Sequence, residues 1–516
     1  MLTRTEKKNL QGNGQALNNP AYANLQQRFT SHFHDIFLND MAEKTVVIIP
    51  SLTLDKEILL TVKGVEHYEE RMLSMLMLLR MPRTRVIYVS SMPIDSSIID
   101  YYLHLLPGIT GYHAKQRLTL LSCYDASPKP LTEKLLERPR LLKRIKETIR
   151  FPELAHLAFF NVTEIERKLA LALDIPIFGC DPSLLHLGSK SGSRLIFKKL
   201  GIPLPLGMES LKSLEDICAA LAELKKNNPG LRKAVVKIND GFSGEGNAIY
   251  SYHHLQTDHD HLADQIQQSL KQQLKIVAPK LSFEGYLQKF IDMGGIVEEF
   301  LEGEIKESPS VQCRINPVGE PEILSTHSQI MSGESNQVFL GCSFPAKIEY
   351  NREIAQMGKK ISDELQREGV QGRFSIDFIS IQKPEGWEHY AIEINLRKGG
   401  TTHPYVLLQF LTEGEYNWQK GEFLMPSGQT RCYFASDNVV DERFIGLTPH
   451  DLIDIATCNR LQYDGARQSG VMFHMIGGLS QYGKLGMVCI GRTVEEAKEL
   501  YNKTLQVLDK ESANEK

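Results

Sequence analysis

The chain has 516 residues, 42% hydrophobic and 24% charged, with 38 glycines and 23 prolines. That length is more than one hydrophobic core usually serves, which excludes a single small module, and the composition excludes a collagen-like or mostly disordered chain. Fifty-nine Lys and Arg against 63 Asp and Glu leave a net charge of −4, so no global basic field gathers nucleic acid or an anionic membrane, and partners must be recognised locally.

Residues 1–40 are rich in Asn and Gln with weak hydrophobic periodicity, and read as a mobile leader or an arm lying on the body. No secretory signal is visible after Met1. The longest apolar run, from Met72 to Met81, contains Ser74 and Arg80 and is shorter than the roughly 20 residues of a membrane-spanning helix. The eight cysteines form no C-x-x-C pair and read as reduced core thiols of a cytoplasmic protein.

From Lys44 the pattern sharpens. Residues 45–49 form a buried-type strand, a Leu/Met helix spans roughly 66–80, and residues 85–89 form a second strand. The alternation continues through a strand at 118–121, a Lys/Arg-rich helix from about 131 to 150, and a strand at 158–162. Leu135, Leu136, Leu142, Ile145 and Ile149 share one stripe of that helix, so its charges read as a solvated face rather than a polyanion contact. Residues 41–185 are therefore expected to be a doubly wound α/β domain with a parallel sheet. A second unit covers 186–425. A small α+β unit covers 426–516 and ends in a docking helix, with Thr493 and Glu496 as its capping box and Ala497, Leu500, Tyr501, Thr504, Leu505 and Leu508 on one face.

The middle unit carries the chemistry. Lys237 interrupts the apolar strand 234–238, where a lysine is costly unless it is paired or bound to an anion. Directly after it, Gly241, Ser243, Gly244 and Gly246 form a loop able to aim backbone N–H groups at phosphate oxygens. A strand follows at 247–252 instead of a helix, so neither a Walker A loop nor a dinucleotide fingerprint fits, and a flap between antiparallel strands remains. Alternation along 372–378 puts Arg373, Ser375 and Asp377 on one face, and along 391–397 it groups Glu393, Asn395 and Arg397. Two neighbouring strands would then present Asp377, Glu393 and Asn395 to one point, a hard-oxygen set suited to Mg²⁺, with Arg397 beside it for a developing anion. His253, His254, His259 and His261, mixed with Asp258 and Asp260, form a weaker zinc candidate.

Lys190, the stretch from Phe197 to Pro205, Lys237 with its glycine loop, the stretch from Val297 to Gly303, Asp377 and the stretch from Glu393 to Arg397 occur in the order found in the ATP-grasp superfamily. The chain resembles its carboxylate–amine ligases. The strings from Glu393 to Pro404 and from Leu118 to Ser127 resemble more narrowly the pheganomycin-type peptide ligases. The resemblance implies an N-terminal pre-ATP-grasp domain, a two-lobed α+β ATP-grasp domain and a small C-terminal domain, with ATP and Mg²⁺ as cofactors. It assigns Lys190 and Lys237 to the α- and β-phosphates, and Glu298, Glu299 and Leu301 to the adenine hinge. Glu304 goes to the ribose, with Glu302 as the alternative register. Asp377, Glu393 and Asn395 go to Mg²⁺ and Arg397 to the reacting carboxylate. Arg314, which shares a strand face with Gln312 and Asn316, is either a second such arginine or a surface residue. His403 either orients the acceptor amine or acts as its base, or else fixes its own loop.

The expected function is an ATP-dependent ligase that joins a small-molecule or peptide carboxylate to an amine through an acyl phosphate. The alternatives are a nucleotide-binding regulator or scaffold, and a ligase with a thiol or hydroxyl acceptor. A homodimer is the default assembly.

Overall fold

The computed structural model describes residues 19–514 apart from 38, 55–58, 60–63, 242–245, 254, 256–260, 279–280 and 333–337. Strands β1 (Lys44–Ile49), β2 (Thr84–Ser90), β3 (Leu118–Ser122) and β4 (Ala155–Phe159) form a parallel sheet in the order β3-β2-β1-β4. β1 is buried along its whole length because both faces are covered. One face packs on the helices after β3 and β4, and the other packs on the segment 65–80.

That segment is helical, as its Leu/Met content predicts, but it is wound with i→i+3 bonds over all 16 residues of Val65–Arg80, an unusual length for a 3₁₀ helix. The Lys/Arg-rich helix is two pieces, Leu131–Leu136 and Pro139–Thr148. Pro139 lacks the N–H needed to continue the first helix and is suited to start the second. Within residues 1–40, Pro20–Phe37 is a docked helix. Tyr22, Leu25, Phe29, Phe33 and Ile36 form its buried stripe, and Gln26 exchanges two hydrogen bonds with the backbone of Ile177.

The middle of the chain folds into two lobes. Strands β5 (Gly207–Leu211), β6 (Lys233–Ile238), β7 (Asn247–Ser251), β8 (Leu274–Ile276) and β9 (Gly295–Glu299) form an antiparallel sheet in the order β5-β9-β6-β7-β8, with its own core shared with three helices. Strands β10 (Lys306–Ile315), β11 (Pro321–Ser332), β12 (Val338–Phe344), β13 (Gly372–Lys383) and β14 (Gly386–Asn395) start a larger antiparallel sheet. The helix Asn351–Arg367 and the helix Lys190–Leu200 pack against it.

After a short hairpin, β15 (Glu415–Asn417) with β16 (Glu422–Leu424), the C-terminal strands β17 (Cys432–Val440), β18 (Gly470–His474) and β19 (Lys484–Gly491) continue this sheet. The whole order is β14-β13-β10-β11-β12-β17-β19-β18. The last helix, Val494–Asn514, docks on β19 and β17, with Ala497, Thr504 and Leu508 buried. Thr493 Oγ1 accepts from Glu496 N as a cap, whereas the Glu496 carboxylate reaches one residue further back, to the N–H of Arg492.

Candidate active site

The cleft between the two lobes has a volume of about 370 Å³ and is bounded by residues of every part of the chain. Lys237 projects from β6 and Lys190 opens the helix Lys190–Leu200, and both are buried. Each has a carboxylate partner: Lys237 Nζ lies 2.5 Å from Glu298 Oε1, and Lys190 Nζ lies 2.7 Å from Glu393 Oε2. The second oxygen of Glu298 takes Arg194, whose guanidinium also holds Glu209. Buried cations are tolerated here because each is paired and hydrogen-bonded.

Asn239 ties the start of the Lys190 helix to the turn after β6. Its carbonyl accepts from Lys190 N, and its Oδ1 accepts from Ser191 N and Oγ. Gly241 and Gly246 line the cleft beyond this turn; Ser243 and Gly244 lie outside the described residues.

The register of β13 with β14 sets Asp377 opposite Glu393 and Ser375 opposite Asn395. Asn395 Nδ2 donates to Asp377 Oδ2 at 2.9 Å, and Gln329 Nε2 of β11 donates to Oδ1 at 2.9 Å. Burial and the neighbouring Glu393 push the Asp377 carboxyl up to about 7. Burial works in the same direction on Glu393, but Lys190, Arg397 and Lys237 together hold it below the usual carboxylate range. A cation would relieve this crowding of negative charge, and the donors are two carboxylates and an amide. The set fits Mg²⁺.

Arg397 follows directly in the loop after β14 and also lines the cleft. The loop is fixed to the N-terminal domain, since Lys398 donates from its backbone to Phe160 O and from Nζ to Phe159 O. Gly400 is required next to it, because a Cβ there would come within 2.6 Å of the Phe339 ring.

Other predicted residues fall outside this group. Glu299 and Leu301 begin the connection from β9 to β10, where Glu299 Oε1 accepts from Leu206 N. Glu304 is exposed and lines a neighbouring concavity, in which Glu302 pairs with Arg232 at 2.8 Å. Arg314 does not line the cleft: it stands opposite Arg373, four residues along β10 from the Ser310–Asp377 pair and so about 13 Å away, and it pairs with Glu322. His403 is buried at the start of the helix Thr402–Thr412 and does not line the cleft either; it contacts His474 and Asp437. Of the zinc candidates, His254, Asp258, His259 and Asp260 lie outside the described residues, while His261 is exposed beside Asp264.

Tyr68, Arg71, Phe160, Gln329, Asp437 and Asn438 line the cleft without having been singled out from sequence. Arg71 carried no such signal in the sequence, since it follows Glu69 and Glu70 in a charged stretch; for Asp437 the signal was an acid within the strand 432–440. What sequence lacked was their meeting.

The likenesses to known proteins agree with this geometry. The family profile IQCH-like, ATP-grasp matches residues 182–281 and 259–419, and a PGM1 C-terminal domain profile matches 451–504. An L-propargylglycine–L-glutamate ligase of Streptantibioticus cattleyicolor is 26% identical over 474 residues, which are 90% of this chain and 94% of that protein. IQ motif-containing protein H of Danio rerio is 23% identical over 91% of this chain, which spans about half (49%) of the fish protein. Among solved structures, a biotin carboxylase complex from Campylobacter jejuni shares the fold with a TM-score of 0.54 at 12% identity, covering 90% of this chain and 91% of that one. The profile spans both buried lysines and the Asp377, Glu393 and Asn395 set, and the two-lobed fold places them around one cleft: over residues 182–419 the chain is similar to the ATP-grasp ligases.

Proposed function

We propose that this ligase joins a carboxylate to an amine through an acyl phosphate. The observation that carries this reading is the meeting of two buried, carboxylate-paired lysines with Asp377, Glu393, Asn395 and Arg397 in a single cleft. A site built only to hold a protein partner has no use for it.

The donor carboxylate attacks the γ-phosphorus of ATP, the bond from that phosphorus to the ADP oxygen breaks, and ADP leaves. The amine nitrogen then attacks the acyl carbon, the carbon–oxygen bond to phosphate breaks, and the amine gives up its proton as phosphate departs. In-line phosphoryl transfer needs little covalent help from protein, so positioning and charge neutralisation dominate. Lys237 and Lys190 exchange their carboxylate partners for phosphate oxygens; at 4 Å and an effective dielectric of 20, each such contact is worth about 4 kcal/mol before desolvation. Asp377, Glu393 and Asn395 would hold Mg²⁺, which when bound neutralises the β- and γ-oxygens. Arg397 steadies the donor carboxylate.

Eight free cysteines, most of them buried, fit a reducing cytoplasm, and no helix among the described residues is long and apolar enough to cross a membrane. The test is mass spectrometry of ATP-dependent products from a mixed pool of amino acids and short peptides, with ADP release measured in parallel. Lys237→Ala and Glu393→Gln should each lower ADP release at least about 100-fold. Wild-type rates from either folded variant would refute the assignment.

A further inference from the structure

The cleft that holds Lys190 and Lys237 has a second polar group that the ligase chemistry above leaves unused. Arg71, on the segment Val65–Arg80, and Asp437, on β17, face each other with Nη2 3.0 Å from Oδ2. Both line the cleft and both are more than nine-tenths buried. The guanidinium also lies 4.3 Å over the ring of Tyr68. Arg71 Nε has no hydrogen-bond partner among the described residues. Apart from Asp377 and Glu393, Asp437 is the only anion lining the cleft among the described residues.

Asp437 is held from behind. Its Oδ1 lies 2.9 Å from His474 Nε2 and 3.2 Å from His403 Nε2, and those two nitrogens are 3.0 Å apart. Three such atoms converging could ligate a metal. Two observations favour protons instead. The Arg71 guanidinium already neutralises the carboxylate. His474 Nδ1, which a ligating imidazole would use to donate to an acceptor, has no partner among the described residues. Both Nε2 atoms thus lie within hydrogen-bond reach of Oδ1 and of each other. Backbone closes over the His474 ring, where a Cβ on Gly486 would lie 2.1 Å from Nε2 and 2.5 Å from both Cδ2 and Cε1. With Arg71 and His403 beside it, the carboxylate stays ionised well below the usual range even though burial opposes this.

A buried ion pair contributes little net stability, so its position at a ligand cleft needs another reason. We propose that Arg71 and Asp437 form the subsite for the amine substrate, and that this substrate is a free α-amino acid. A cation and an anion side by side, desolvated except toward the cleft, complement an ammonium and a carboxylate one carbon apart: the α-carboxylate takes Arg71 and the α-ammonium takes Asp437. A peptide acceptor, whose two charged ends are far apart, satisfies only one of them. His403 and His474 are positioning residues that act through Asp437. The proposal rests on the ligase reading and names the acceptor class for it.

The experiment uses the full chain in two stages. First, hydroxylamine is added with ATP, Mg²⁺ and the mixed carboxylate pool to trap the acyl phosphate as a hydroxamate. Absence of any hydroxamate would overturn the ligase reading and the subsite with it. Second, with the donor identified from that product, the proteinogenic L-amino acids are compared as acceptors with their carboxamides and with dipeptides. The expected result is a kcat/KM for the preferred amino acid at least about 100-fold above that of its carboxamide, carried mainly by KM. In Arg71→Gln, that preference should collapse to below about threefold, with the KM for ATP within about twofold of wild type. This comparison needs no variant to fold, since it removes the charge from the ligand. Hydroxamate formation with equal use of acid and carboxamide, or a preference for dipeptides, would overturn the subsite alone. So would one equivalent of zinc or iron in the purified protein by elemental analysis.

Discussion

Glu298 shows how closely single residues are tied together in this molecule. One carboxylate serves Arg194 and Lys237, and all three are buried. Replacing it with Gln leaves Lys237 with a neutral partner and Arg194 with Glu209 alone. The expected cost is about 3 kcal/mol, read from the urea midpoint at unchanged slope, together with a weaker Mg·ADP-induced rise in Tm. Glu69 offers a different test. It is buried in the N-terminal domain, accepts from the N–H and hydroxyl of Ser91, and burial raises it from 4.5 to about 7. Between those values the folded state binds the proton and the unfolded state does not, so stability should fall as pH rises from about 4.5 to about 7, by on the order of 3 kcal/mol. Glu69→Gln should flatten that slope in chemical denaturation; an unchanged slope would show that the carboxyl is already ionised when folded. At this scale Lys237 was legible because a lysine in the strand 234–238 has no inexpensive explanation. Arg71 follows Glu69 and Glu70 in a charged stretch, its partner comes from the far end of the chain, and no local pattern announces it.

The helix Pro20–Phe37 belongs to the next scale. Its apolar positions 22, 25, 29, 33 and 36 follow the helical period, but this stripe covers only part of residues 1–40, over which the periodicity as a whole is weak. Phe29 is buried, stacked on His156 with centroids 5.4 Å apart, so Phe29→Ala should lower stability by about 3 kcal/mol in urea titration. A change below about 0.5 kcal/mol would mean that the helix is only loosely docked. Strand alternation was the most readable feature, since a period of two fixes which residues of 372–378 and 391–397 share a face. The pairing of β13 with β14 and the place of Arg314 four residues from the metal-type cluster depend on register, which single-strand patterns do not encode.

Across the whole molecule, cores follow the sequence divisions unevenly. The five-stranded lobe keeps its own core, whereas one cluster runs from Leu73 and Tyr88 through Phe344 and Tyr405 to Met487 and Leu508. Residues 41–185 expressed alone should therefore expose Leu73, Leu76 and Leu79 and bind the dye ANS or aggregate; a monomeric, dye-silent fragment would contradict the shared core. In the full chain, amide exchange in β6 and β7 should be faster than in β10 and β13, and Mg·ADP, by bridging Lys190 and Lys237, should slow it.

The cleft draws Arg71 from early in the chain and Asp437 from near its end, with Lys190 and Lys237 between them in sequence. Because Asp437 lies on β17, a chain that ends before β17 lacks one half of the proposed acceptor subsite, and such a truncation should form no amide product.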